Sequence, residues 1–184
     1  MQPSDSEFDP LTLAALRARA GDRVSAGEFV RLAQSDVWRL CAHLGSRAEA
    51  DDLTQETFAR AFASLHRFAG RSTARTWLLS IARRVCADAI RNRRPVTPMA
   101  EVEPADRGGD PAESVSLRAL LDSVDRTYRE AFVLTQVLGL SYPEAADVLG
   151  CPVGTIRSRV ARARDALVAG LGEGYRRRSG GAAG

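Results

Sequence analysis

The chain has 184 residues, of which 45% are hydrophobic, enough for one ordinary domain or two small ones and too apolar for a chain disordered throughout. No apolar run approaches the roughly 20 residues that cross a bilayer, and the opening "MQPSDSEFDP" lacks the charged-then-apolar pattern of a secretory leader, so the sequence reads as a cytoplasmic protein with no membrane-inserted segment. The net charge is only +3, but all 26 basic residues are arginine and they are unevenly spread: nine arginines and one acid lie between Arg60 and Arg94, then one arginine and five acids between Pro95 and Ser116. Genome composition explains the missing lysine but not the clustering, which points to a polyanion-binding face beside an acidic connector.

Strand signals are nearly absent while 3.6-residue periods recur, so the expected fold class is all-α, as two small helical domains. Residues 1–10 are expected to be disordered. The first domain is expected over 11–94, with helices at Leu11–Ala20, Ala26–Leu44, Ala48–Leu65 and Ala74–Asn92. Residues 95–114, rich in proline and carrying the Gly108-Gly109 pair, read as a flexible linker. The second domain is expected over 115–171, with helices at Val115–Asp122, Asp125–Leu138, Tyr142–Leu149 and Val153–Leu171. The glycine-rich residues 172–184 read as a disordered tail. Each core is small and therefore marginal.

In the third helix, Phe58, Ala61, Phe62 and Leu65 form the expected inward stripe. Glu49, Asp52 and Glu56 line the other side at helical spacing, flanked by Leu53 and Arg60. An exposed leucine beside an acidic row suits docking on a basic protein, although a merely solvated acidic face has the same pattern.

In the fourth helix, Leu78, Ile81, Ala82, Val85 and Ala89 form the expected buried stripe. Thr76, Ser80, Arg83, Arg84, Ala87 and Arg91 form the opposite face, and Ser72 or Thr73 can cap the start. Trp77 flanks the basic face, where an aromatic suits stacking on unpaired bases; ordinary packing against the preceding helix is the other reading. The loop before it, "RFAGRSTAR", is short, polar and basic, a place for a flipped-out base.

The stretch "GLSYPEAADVLGCPVGTIRSRVARARDAL" carries the most specific local signal. Ser141 and Glu144 make a capping box, Pro143 is tolerated in a first turn, Gly150 suits a helix end, and Pro152 permits a second start. Two helices joined by so short a turn follow the helix-turn-helix plan. On the second helix Ile156, Val160, Ala163 and Leu167 share one stripe. Ser158 and Arg162 lie opposite, Thr155 is close by, and Arg157 and Arg159 flank them. Guanidinium groups so presented can take both acceptors of a guanine in a major groove or clamp phosphate.

Nothing in the sequence recommends catalysis or a cofactor. Cys41, Cys86 and Cys151 form neither a close pair nor a zinc spacing and read as buried free thiols. His43 and His66 fall near helix ends, and no nucleophile triad, phosphate-binding loop or metal box is present. A nuclease centred on Asp51 and Asp52 would sit on an open helix without supporting groups.

Three pieces, "DDLTQETFARAF", "RSTARTWLLSIARRVCADAIR" and "LSYPEAADVLGCPVGTIRSRVARAR", stand in this order with a linker before the last. Together they resemble the bacterial RNA polymerase sigma factors of the extracytoplasmic-function type, over about 11–94 and 115–171. The resemblance implies a non-enzymatic transcription factor without cofactor or small-molecule substrate. Its partners would be core RNA polymerase, through the β′ clamp helices and the β flap, promoter DNA and, as is common in the family, an anti-sigma factor. It implies that Glu49, Asp52, Leu53, Gln55 and Glu56 bind core polymerase. Phe68, Arg71, Ser72, Arg75, Thr76, Trp77, Ser80, Arg83, Arg84 and Arg91 would read and melt the −10 element, and Thr155, Arg157, Ser158, Arg159 and Arg162 would read the −35 element. Leu78 follows Trp77 where housekeeping sigma factors carry a second tryptophan, which implies weaker melting and stricter promoter choice. The family's frequent leucine-proline pair is replaced by Val124-Asp125, which bears on where the next helix starts. The competing reading is an autonomous helix-turn-helix regulator, which accounts for the C-terminal half but for neither the acidic helix nor the second basic one.

Overall fold

A computed structural model describes residues 8–92 and 119–179, all of whose regular structure is helical. In chain order the helices are α1 (Pro10–Arg19), α2 (Arg23–Leu44), α3 (Ala50–Ser64), α4 (Ala74–Asn92), α5 (119–123), α6 (Arg126–Phe132), α7 (Tyr142–Leu149) and α8 (Val153–Ser179). A 3₁₀ turn over Leu65–Arg67 follows α3. Helices α1 to α4 pack together as one unit, and α5, α6, the start of α7 (Tyr142–Ala146) and α8 fall in a second. The proline-rich segment 95–114 and the start of the helix expected at Val115 lie outside the described residues.

In the first unit the caps set the starts. Asp9 accepts the Leu11 and Thr12 N–H groups, so α1 opens on Pro10, a first-turn position that needs no N–H donor. Asp22 caps α2 by accepting the Val24 N–H and the Ser25 hydroxyl, so this helix starts three residues before Ala26. The Ser25 bond is the main reason the Asp22 carboxyl titrates below its usual range. The core is drawn from all four helices, with Ala15, Phe29, Val37, Leu40, Ala61, Leu78, Leu79 and Val85 fully or almost fully buried, and Phe29 meets Phe58 edge-on at 6.1 Å. Cys41 and Cys86 are buried free thiols, whereas Cys151 is only half-buried.

Helix α4 packs on α1, α2 and α3 at once, so its buried arc is wider than one stripe. Leu79, Cys86 and Thr76 are buried with Leu78, Ile81, Ala82 and Val85, while Ala89 is only half-buried. In α3 the buried residues are Ala50, Leu53, Thr57, Phe58 and Ala61, so the stripe is rotated from the expected one. Leu53 is inside at 7% exposure and Phe62 outside at 39%, the reverse of expectation. The polar Thr57 tolerates the interior because its hydroxyl donates to the Leu53 carbonyl at 2.7 Å.

In the second unit, Asp125 accepts the Thr127 N–H, so α6 starts at Arg126 despite the missing leucine-proline pair. The expected single helix to Leu138 changes at Val133 into a π-turn over Val133–Val137, closed by Leu138 N–H to the Val133 carbonyl. Thr135 donates its hydroxyl to the Ala131 carbonyl, competing with the regular ladder at that point. The last helix continues past Leu171 to Ser179, where a disordered tail was expected from residue 172. Extending an existing helix costs far less than nucleating one, which glycine content alone does not register.

Candidate functional site

The helix-turn-helix forms as its local signals require. Ser141 accepts the Glu144 N–H at 3.4 Å and Glu144 accepts the Ser141 N–H at 2.8 Å, completing the capping box. Gly150 takes φ +63°, a left-handed conformation costly for any residue with a Cβ, and ends α7. Pro152 accepts the Thr155 N–H, and α8 starts at Val153. Ile156, Val160 and Ala163 are buried, and Leu167 is half-buried.

Arg157, Ser158 and Arg162 are exposed on the other side, with Thr155 and Arg159 half-buried. Their contacts are short-range and uncharged. The Ser158 hydroxyl donates to the Thr155 carbonyl, Arg159 reaches the Cys151 sulfur at 3.8 Å, and the Arg162 guanidinium lies 5.9 Å from the Tyr128 ring centroid. Arg164, which the sequence did not single out, donates to the Gln136 side-chain oxygen at 2.8 Å. The face therefore carries net positive charge, with Asp165 the acid exposed beside Arg162, on a helix anchored along its back.

The basic helix α4 is different, and four residues expected on its nucleic-acid face are not free. Phe68 is 3% exposed, its ring 5.0 Å from that of Trp77. Thr76 is buried against the Thr73 hydroxyl at 2.9 Å. Arg75 is bound to Asp36 of α2 at 2.7 Å, and Arg91 is bound to Asp88. Ser80 is half-buried and donates to the Trp77 carbonyl. What remains outward is a smaller face: Arg71 and Arg84 exposed, with Ser72, Trp77, Ser80 and Arg83 half-buried. The start of α4 is satisfied internally, since the Thr73 hydroxyl accepts the Thr76 N–H and the Thr12 hydroxyl accepts the Ala74 N–H.

On α3, Asp51, Asp52, Gln55 and Glu56 are exposed, whereas Glu49 is half-buried and accepts the Ser46 hydroxyl at 2.7 Å. With Leu53 inside, this face is polar rather than leucine-flanked. Glu56 accepts from Arg60 at 2.7 Å, and Arg60 also binds Asp88 at 2.7 Å. Arg60, ahead of Arg91, holds the Asp88 carboxyl below its usual range, and Asp88 ahead of Glu56 raises the Arg60 guanidinium.

Sequence reasoning missed Trp38. Its indole N–H donates to Asp51 at 2.8 Å, and Arg47 stacks 5.4 Å from its centroid. Trp38 lines an open groove of about 600 Å³ with Gln34, Ser35, Asp51, Thr54 and Gln55. The available signal was an amphipathic aromatic on α2 with a carboxylate in the next helix. Among the described residues no cluster of His, Cys, Asp and Glu is fit to hold a metal ion, and no helix is long and apolar enough to cross a membrane.

Comparison with known proteins agrees with this division. The family model of sigma-70 region 2 matches residues 29–96, and that of sigma-70 region 4 matches residues 114–167. The chain is similar to the ECF RNA polymerase sigma factor SigC of Mycobacterium tuberculosis, 48% identical over 176 residues that cover 92% of this chain and 95% of that protein. Its fold is similar to that of CnrH, solved with the cytosolic domain of CnrY, with TM-score 0.75 and 29% identity over 90% of this chain and 99% of the other. It is also similar to the sigma factor RpoE of Bartonella quintana, solved with the anti-sigma factor NepR, with TM-score 0.70 and 27% identity over 79% of this chain and 95% of that one.

Proposed function

The chain belongs to the sigma-70 family as a sigma factor of the extracytoplasmic-function type, and from that membership we propose how its faces divide the work of promoter-directed transcription initiation. The observation that carries the reading is the outward set Arg157, Ser158 and Arg162 on α8, opposite the buried Ile156, Val160 and Ala163. This set enters the major groove of the −35 element, Arg157 and Arg162 reading base edges and Thr155 and Arg159 lying nearer the phosphates.

The exposed Asp52, Gln55 and Glu56 of α3 dock on the β′ clamp helices of core polymerase. Arg71, Ser72, Arg84 and the half-buried Trp77, Ser80 and Arg83 attend the −10 element, where the loop 68–73 receives an unstacked base as the duplex opens. Phe68, Thr76, Arg75 and Arg91 drop out of the contacting set: the first two support the loop and helix from inside, and the last two are held by carboxylates. The chain itself makes and breaks no bond. Its work lies in the cytoplasm, with the polymerase and the promoter, and its second protein partner is an anti-sigma factor, the class with which Bartonella RpoE was solved.

Co-elution with core polymerase on gel filtration, followed by run-off transcription, tests this reading. Asp52→Arg with Gln55→Arg, on two exposed side chains of α3, is expected to abolish co-elution while leaving the helical content unchanged. A wild-type chain that binds −35 duplex alone as a dimer and never co-elutes with core would instead be an autonomous regulator.

A further inference from the structure

Thr12, Leu16 and Arg19 stand at i, i+4 and i+7 of α1, on one face of the helix. All three touch the segment that carries the chain from the 3₁₀ turn into α4, and they do so in antiparallel order. Arg19 donates to the Phe68 carbonyl at 2.6 Å. Leu16, together with Phe8, lies under Gly70, where a Cβ would stand 3.7 Å from each, and Gly70 holds φ +68°. Thr12, buried, accepts the Ala74 N–H at 2.8 Å and donates its own hydroxyl to Asp9.

The loop supplies little of its own shape. Among the described residues no backbone hydrogen bond involves Ala69, Gly70, Arg71 or Ser72. Its entry, middle and exit are each fixed on α1, while Arg71 is left exposed at its surface. Helix α1 also lies outside the residues that the region 2 family model matches.

We propose that α1 is the positioning element of the base-receiving loop, with Arg19 its principal positioning residue. This rests on the proposed reading that loop 68–73 receives a promoter base. A loop without internal hydrogen bonds pays an ordering cost on binding unless its surroundings pre-form it. The Thr12–Leu16–Arg19 stripe removes that cost before DNA arrives. Arg19 acts on the carbonyl at the point where the chain leaves the buried Phe68, and so sets the direction in which residues 69–72 depart.

The test uses holoenzyme assembled from core polymerase and the full chain, with Arg19→Ala, Arg19→Lys and Leu16→Ala. The readouts are core affinity, binding to −35 duplex, and binding to single-stranded oligonucleotides of the −10 non-template strand with each base varied in turn. Arg19→Ala is expected to leave the first two unchanged and to weaken the preferred oligonucleotide about tenfold, the scale of one charge-assisted hydrogen bond. The preference at the received base should flatten. Arg19→Lys should restore part of it, and Leu16→Ala should flatten it as well. A variant that keeps the wild-type base preference, or loses oligonucleotide and core binding in parallel, overturns the positioning role while leaving the loop reading intact. A wild-type holoenzyme without any base preference overturns the loop reading and this proposal with it.

Discussion

Helices α4 and α8 are both rich in arginine, yet they use it differently. In α4, Arg75 and Arg91 are tied to Asp36 and Asp88. In α8, among the described residues, none of Arg157, Arg159, Arg162 and Arg164 is paired with a carboxylate, and the contacts of the last three are with a thiol, a ring and an amide. The cause is position in the fold. Helix α4 is packed against three others, which brings Asp36 of α2 to Arg75, while Arg91 is held by Asp88 of α4 itself. Helix α8 buries one narrow stripe, and the exposed Asp165 on its outward side forms no ion pair with its arginines among the described residues. On the proposed division of faces, long-range attraction to phosphate would belong chiefly to α8, and α4 would offer DNA a shaped loop, an aromatic edge and few free cations.

The largest effect that would separate the two helices is at Phe68. Phe68→Ala is expected to destabilise the first unit by about 3–5 kcal/mol, measured by urea unfolding, because it empties a buried site against Trp77. Loss of DNA binding at unchanged stability would return Phe68 to the contacting surface. Next comes Arg162→Ala. Here binding to −35 duplex should weaken by about 1–3 kcal/mol and specificity should relax at one base pair. Stability should fall by no more than about 1 kcal/mol, the scale of its contact with Tyr128. A loss equal for every −35 sequence would make Arg162 a phosphate contact.

Two substitutions within α4 make a finer comparison. Arg75→Ala breaks a partly exposed ion pair and is expected to cost about 0–1 kcal/mol of stability, with no change in the salt dependence of holoenzyme binding to DNA. Arg84→Ala should do the reverse, leaving stability alone and lowering the slope of log affinity against log salt by about 0.9, one phosphate contact. Equal slopes for the two variants would erase the distinction between held and free arginines.

The contrast also marks what the sequence discloses. The helix-turn-helix was legible because Ser141, Glu144, Gly150 and Pro152 act within a few residues of one another, and α8 buries a single stripe. The orientation of α3 was not, because a helix packed on both α2 and α4 has no single inward direction, and Thr57 goes inside once its hydroxyl finds a carbonyl in its own helix. The fate of the arginines was equally hidden: Arg75 of α4 meets a carboxylate 39 positions away and Arg60 of α3 one 28 positions away. Charge clustering in a sequence counts cations but not the partners that folding brings to them.

Asp88 offers the subtlest test, since it is the one acid within the arginine-rich block that led to the nucleic-acid reading. Arg60 and then Arg91 hold its carboxyl below the ordinary value. The sign follows: a carboxylate depressed in the folded state contributes stability that is present above its unfolded value, about 3.9, and is lost as pH falls through the folded one. Asp88→Asn should therefore be less stable than wild type at neutral pH, and the gap should close in acid below the carboxylate range, as followed by unfolding at a series of pH values. The same substitution leaves Arg60 bound to Glu56 but gives Arg91 no other carboxylate among the described residues. If Arg91 lies within reach of phosphate, the salt slope of holoenzyme binding should steepen by about 0.9. An unchanged slope would end the footprint of α4 at Arg84, and Asp88 would then serve the join between α3 and α4 rather than restrain the DNA-facing charge.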